Sequence, residues 1–149
     1  MKTAIIYYSK HHGNTKKVLD AIRQASDDEI AIFDVTQAAA ANLEEYDLIG
    51  FASGIYYSKF EKRVLKFAEE NTPEGKDVFL LYTYGAEKTG YTNAIRQAVA
   101  GKNVNILGEY GCLGFNTYGP FKLIGGIAKN HPDSMDIEKA IAFYNNLYK

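Results

Sequence analysis

The chain has 149 residues, 46% apolar and 23% charged, with 17 Lys and Arg against 18 Asp and Glu for a net charge of −1. That length is one domain's worth, here residues 1–149, and it buries enough surface to fold without disulfides or a structural metal. A near-zero charge provides no general field for nucleic acid, no apolar run reaches the ~18 residues that span a bilayer, and the single cysteine, Cys112, rules out a disulfide framework or a multi-cysteine zinc site. Charges alternate along the chain, with no basic stripe and no internal repeat. The opening MKTAIIYYSK is too short in its apolar part for a signal peptide, so a cytoplasmic location is expected.

Residues Lys2 to Tyr8 are β-branched and aromatic and read as a strand that ends in a polar turn, Ser9 to Gly13. From Thr15 to Ala25 the apolar positions Val18, Leu19, Ala21, Ile22 and Ala25 recur at helical spacing, with Lys16, Lys17, Asp20 and Arg23 opposite. Glu29 to Val35 is a second strand, and Thr36 to Glu45 an alanine-rich helix. Tyr46 to Ser53 is almost continuously apolar, as in a strand buried on both faces. Phe60 to Glu70 is helical, with Phe60, Val64, Phe67 and Ala68 inward; Pro73 and Gly75 then break the pattern. Val78 to Thr83 is a fourth strand, Thr92 to Ala100 a helix, and Val104 to Tyr110 a fifth strand. The last helix, Asp136 to Tyr148, is capped by Asp133 or Ser134. Residues 111–135 lack clear periodicity; a cover over the ligand, a dimer surface and a short helix around 121–128 are all compatible with them.

Strands alternating with helices imply an α/β protein: a parallel sheet between two helical layers, with ligands bound outside the carboxyl ends of the strands. Three loops lie there: Ser9 to Thr15, Gly54 to Lys59, and Tyr84 to Tyr91. The first is rich in hydroxyl, imidazole and amide donors and opens a helix, where free backbone N–H groups favour an anion. A plain N-cap turn explains the same residues equally well. It is neither a Gly-Lys-Ser/Thr phosphate loop nor a dinucleotide fingerprint, having one glycine. The second and third loops carry tyrosines suited to a flat aromatic ring, although tyrosine is also a common half-buried residue.

The stretch YYSKHHGNTKKVLDAI resembles the opening of flavodoxins, and YDLIGFASGIYYSKFEKRVLKFAEE is similar to their third strand, second flavin loop and third helix. The resemblance covers most of residues 2–100 and, more loosely, the last helix. It implies a three-layer, doubly wound sheet of five parallel strands in the order 2-1-3-4-5, with FMN as cofactor. Ser9, Lys10, His11, His12, Gly13, Asn14 and Thr15 would surround its phosphate; Ser53, Gly54, Ile55, Tyr56 and Tyr57 would meet one side of the flavin, and Thr83, Tyr84, Gly85 and Tyr91 the other. Gly54 would permit the backbone rotation by which flavodoxins bond flavin N5.

The function so implied is electron transfer with redox partner proteins, by a monomer or weak homodimer. Typical flavodoxins are strongly acidic and this chain is not, which keeps open an FMN-dependent reductase acting on a quinone-type substrate, or a protoporphyrinogen-oxidase-like enzyme. Cys112 lacks the Cys-x5-Arg pattern of low-molecular-weight tyrosine phosphatases, because Tyr118 stands where the arginine belongs.

Overall fold

The computed structural model describes residues 1–9, 13–37, 41–115, 128 and 130–149. Five strands run parallel: β1 (Lys2–Tyr8), β2 (Glu29–Asp34), β3 (Leu48–Tyr56), β5 (Asp77–Tyr84) and β6 (Asn105–Leu113), with the two-residue β4 (Lys59–Phe60) pairing antiparallel to the end of β3. The spatial order is β2-β1-β3-β5-β6, which is the expected order once β4 is set aside. The helices are α1 (Asn14–Ala25), α2 (Lys62–Asn71), α3 (Asn93–Val99) and α4 (Ser134–Asn145).

The central strands are buried on both faces, so alternate residues enter different layers. Ala4, Ile6 and Tyr8 of β1, Ile49 and Phe51 of β3, and Val78 and Leu80 of β5 pack with Val64, Phe67 and Ala68 of α2 and Ile95 and Val99 of α3. Ile5, Tyr7, Leu48, Ala52, Phe79 and Leu81 face the other way, onto Val18, Leu19 and Ile22 of α1 and Ala140 and Tyr144 of α4. Full burial of one such Leu, Ile or Phe contributes ~1.5–3 kcal/mol. Gly50 is opposite Phe79 in the register, and a Cβ there would lie 2.3 Å from that ring. The missing side chain is what makes room for the Phe79 ring.

Three expectations change. The stretch 36–45 is not a helix over its described residues: a turn follows Asp34, whose carboxylate accepts from both the N–H and the hydroxyl of Thr36, and a single 3-10 turn, Leu43–Glu45, is capped by Asn42. These short polar side chains bond the local backbone in place of a helical ladder, and Leu43 is the buried residue of the turn. Phe60 lies in β4, so α2 begins only at Lys62. β6 runs on to Leu113, inside the segment without periodicity. The helix expected around 121–128 lies outside the described residues, except for Ala128.

The helix ends differ in chemistry. Asp133 and Asp136 form a reciprocal capping box at α4. At α2 the Glu61 carboxylate accepts the Arg63 N–H, but the first turn then presents Lys62 and Arg63 while the last carries Glu69 and Glu70. That order opposes the helix macrodipole, which favours acids first and bases last. Among the described residues no helix is long and apolar enough to cross a membrane.

Candidate functional site

The carboxyl ends of β1, β3 and β5 converge on the N-terminus of α1. Gly13 caps that helix in the left-handed region (φ 63°), with no side-chain hydrogen bond of its own. Glycine takes that conformation without the steric cost of a Cβ. The Lys16 N–H is satisfied from a distance by Ser9 Oγ at 3.2 Å. Thr15 is buried and its hydroxyl lies 2.9 Å from that of Thr83, tying α1 to the end of β5. The Asn14 amide donates to the Phe115 carbonyl at 2.7 Å, and a Cβ on Gly114 would come within 2.6 Å of that amide. Lys10, His11 and His12 lie outside the described residues.

The second loop is a hairpin. Gly54 is still in β3, paired with Thr83, and Ile55 and Tyr56 pair with Phe60 and Lys59. Tyr57 and Ser58 form the tip with φ of 51° and 66°. Non-glycine residues rarely hold positive φ, and such strain concentrates at functional loops. The two adjacent tyrosines separate: Tyr56 packs edge-on to Tyr8 with ring centroids 5.8 Å apart, while Tyr57, at the left-handed tip, is 82% exposed. Ser53 is fully buried; its hydroxyl accepts the Glu61 N–H at 3.0 Å and donates to the Gly54 carbonyl. That hydroxyl thus ties the hairpin to the start of α2.

In the third loop Tyr91 is buried, its ring against Tyr82 and Tyr84 and its hydroxyl donating to the Ala86 carbonyl. Of the two rings offered for this loop, the half-buried Tyr84 is therefore the accessible one, and Tyr91 supports it. Burial, then the nearby Glu87 carboxylate, pushes the Tyr84 phenol above its ordinary range, so it stays protonated. Thr83 is turned to Thr15, and Gly85 begins the bend after β5.

The end of β6 closes the site on the α4 side. Gly114 donates its N–H to the Tyr84 carbonyl and Phe115 to the His131 carbonyl. His131 Nδ1 is 2.6 Å from Asp136 Oδ2 and 3.7 Å from Asp133 Oδ2. Both carboxylates already accept a backbone N–H from the capping box. Cys112 is a buried free thiol, pushed up to about 12 by burial first and by Asp136 and Asp133 next, which makes it unreactive. A cavity of about 720 Å³ is lined by Val35 and Thr36, just after β2, and by Arg63, Lys66, Phe67, Glu70 and Asn71 of α2.

This arrangement of strand ends has known counterparts. Residues 5–104 match the family model of the flavodoxin domain. The chain belongs to that family. An uncharacterized protein of Methanocaldococcus jannaschii is 39% identical to this flavodoxin domain over 151 residues, covering 100% of this chain and 99% of that one. A flavodoxin from the domain Archaea shares its fold with a TM-score of 0.71 at 18% identity over 100% of both chains. A Fusobacterium nucleatum flavodoxin mutant, solved with flavin mononucleotide bound, gives a TM-score of 0.68 at 19% identity over 99% of this chain and 95% of that one.

Within this flavodoxin domain, Ser9, Gly13, Asn14, Thr15, Thr83, Tyr84 and Gly85 lie together at the strand ends, with Tyr57 exposed at the hairpin tip. Phe115, whose carbonyl holds Asn14, was missed as a site residue. The contact spans 101 positions and leaves no pattern in the sequence.

Proposed function

We propose that this flavodoxin domain binds FMN at the carboxyl end of its sheet and passes electrons to and from partner proteins. The observation that carries the reading is the N-terminus of α1. It is a twelve-residue helix, started by a left-handed glycine with no side-chain cap and set between two strand ends, whereas α4 is fully capped by its own residues. The backbone N–H groups of Asn14 and Thr15 at that helix start suit a dianionic phosphate, with Ser9 Oγ, which accepts the Lys16 N–H, beside them; the Thr15 hydroxyl, paired with Thr83, and the Asn14 amide, bonded to the Phe115 carbonyl, hold the turn in place. Tyr57 and Tyr84 supply rings for a flat heterocycle. The donor set therefore fits the cofactor. The Fusobacterium flavodoxin solved with FMN, alike in fold, supports the same reading.

When bound, FMN supplies the redox chemistry; the protein supplies position and environment. The α1 turn would hold the phosphate, and Tyr57 and Tyr84 would flank the ring. The protonated phenol of Tyr84 places no anion there. The test is a binding comparison. Asn14→Ala or Thr15→Ala should weaken FMN more than riboflavin, which lacks the phosphate; equal loss of both would refute the phosphate assignment.

One observation favours a second reading, an FMN-dependent reductase of a quinone-type substrate. His131, held by Asp136 and bonded through its backbone to Phe115, is an oriented group able to deliver a proton beside the site. Turnover of NAD(P)H with a quinone that is lost in His131→Ala would establish it.

A further inference from the structure

We propose that the first half of α2, together with the hairpin before it, is a basic docking face for an acidic redox partner protein. The inference rests on the electron-transfer reading above only for the partner being a redox protein. Lys59, Lys62, Arg63 and Lys66 are all exposed, and positions 62, 63 and 66 fall on one side of α2. Among the described residues only Arg63 of the four is in an ion pair, with Glu61 at 3.2 Å. Four cations against one carboxylate leave a local charge of +3 on a chain whose total is −1.

The face is continuous with the candidate site. The Arg63 guanidinium lies 4.9 Å from the Tyr8 ring centroid, Tyr8 packs on Tyr56, and Tyr56 pairs with Lys59 across the hairpin whose tip exposes Tyr57. An aromatic ring within a charged rim is the usual make-up of a docking surface. Because α2 follows β3 and β4, its first turn is at the carboxyl end of the sheet, where the cofactor would be reached.

The helix dipole does not explain these charges. Lys62 and Arg63 occupy the turn where cations are disfavoured, and Glu69 and Glu70 occupy the turn where anions are disfavoured. A sequence optimised for the helix alone would carry the reverse order. Arg63 and Lys66 also line the 720 Å³ cavity beside the end of β2, where Glu70 marks the limit of the basic face.

The partner class follows from the charge and its extent. Duplex DNA is engaged through roughly 6–10 phosphate contacts, more cations than this patch offers, and Glu69 and Glu70 close its far end. An acidic protein face of ordinary size matches it and would be steered to it at low salt.

The test measures binding of a plant-type acidic iron–sulfur ferredoxin, the probe, to the full chain with and without FMN, at ~10 mM and ~1 M salt, where the screening length falls from ~30 to ~3 Å. Binding should weaken at least ~10-fold at high salt, and Lys59→Glu/Lys62→Glu/Lys66→Glu should lose at least ~10-fold at low salt and gain affinity for basic cytochrome c. The reversed variant should melt no lower than the parent, since Lys62→Glu relieves the dipole conflict, so lost binding would not reflect lost folding. The milder set Lys59→Gln/Lys66→Gln should show an intermediate loss. Ferredoxin affinity unchanged by salt or by both variants, tighter binding of cytochrome c by the parent chain, or displacement of the ferredoxin by a short DNA duplex at lower concentration would each overturn the proposal. Salt-sensitive ferredoxin binding by a chain that takes up no FMN would uphold this face while refuting the cofactor reading.

Discussion

Thr15 and Thr83 form the polar link that fixes the start of α1 to the end of β5. Both are buried, at 1% and 4% exposure, and their hydroxyls are 2.9 Å apart. Thr15→Val preserves volume, so no cavity forms, but the Thr83 hydroxyl loses its partner in a place water does not reach. Leaving one buried polar group unsatisfied costs about 1–3 kcal/mol, whereas replacing both partners by apolar groups of the same shape is nearly neutral. Each single variant, Thr15→Val and Thr83→Val, should therefore unfold at a lower urea midpoint with an unchanged slope. At roughly 2–4 °C per kcal/mol for a chain of this size, the melting temperature should fall by about 2–12 °C. The double variant should be nearly neutral, so a double-mutant cycle should give a coupling close to the sum of the two single losses, roughly 2 kcal/mol or more. Loss in the double variant equal to the sum of the singles would show that the hydroxyls do not depend on one another, and the account of how α1 is anchored would be wrong.

Other consequences are equally measurable. Gly50→Ala puts a Cβ 2.3 Å from the fully buried Phe79 ring, so it should cost at least about 1–3 kcal/mol by urea unfolding; a neutral result would mean that the sheet and ring yield more easily than packed cores do. Tyr57→Gly should leave the FMN-free protein as stable or stabilise it by up to about 1 kcal/mol, because a left-handed non-glycine conformation is relieved, while weakening FMN; a destabilised apoprotein would contradict this. Cys112 has its ordinary value of 9.0 raised to about 12, so its contribution is complete below pH 9.0 and is lost as pH climbs toward 12. Cys112→Ala should accordingly show a shallower alkaline decline in melting temperature than the parent, and parallel curves would refute the shift.

Much of the fold was legible because the sheet is buried on both faces. Runs such as Tyr46 to Ser53 and Val78 to Thr83 have no alternation to confuse with a helix, and α1 has a clean apolar stripe. The failures have local causes. Residues 36–45 are rich in alanine, but propensity is a weak guide where Asp34 and Asn42 offer the backbone side-chain partners and little is buried. The hairpin went unread because neither Tyr57 nor Ser58 favours positive φ, as the Gly, Asn and Asp of short hairpin turns do; their left-handed backbone is imposed by β3 and β4 on either side. At the site, the glycine and its helix could be read from spacing, while the Thr15–Thr83 and Asn14–Phe115 pairs arise only when distant strand ends meet. Tyr84 and Tyr91 were indistinguishable as letters and differ in how the loop after β5 buries one against the other. The charges of α2 could have been found: positions 59, 62, 63 and 66 are in plain view, separated by Phe60, Glu61, Val64 and Leu65.

The charge order of α2 has one more implication. If it persists for the sake of a partner, then laboratory selection of this protein for heat tolerance alone should repeatedly replace Lys62 or Arg63 with acids and Glu69 or Glu70 with bases. Survivors of such a selection would be sturdier proteins that had drifted out of contact with their counterpart, and the positions where they changed would outline the contact without the counterpart being in hand.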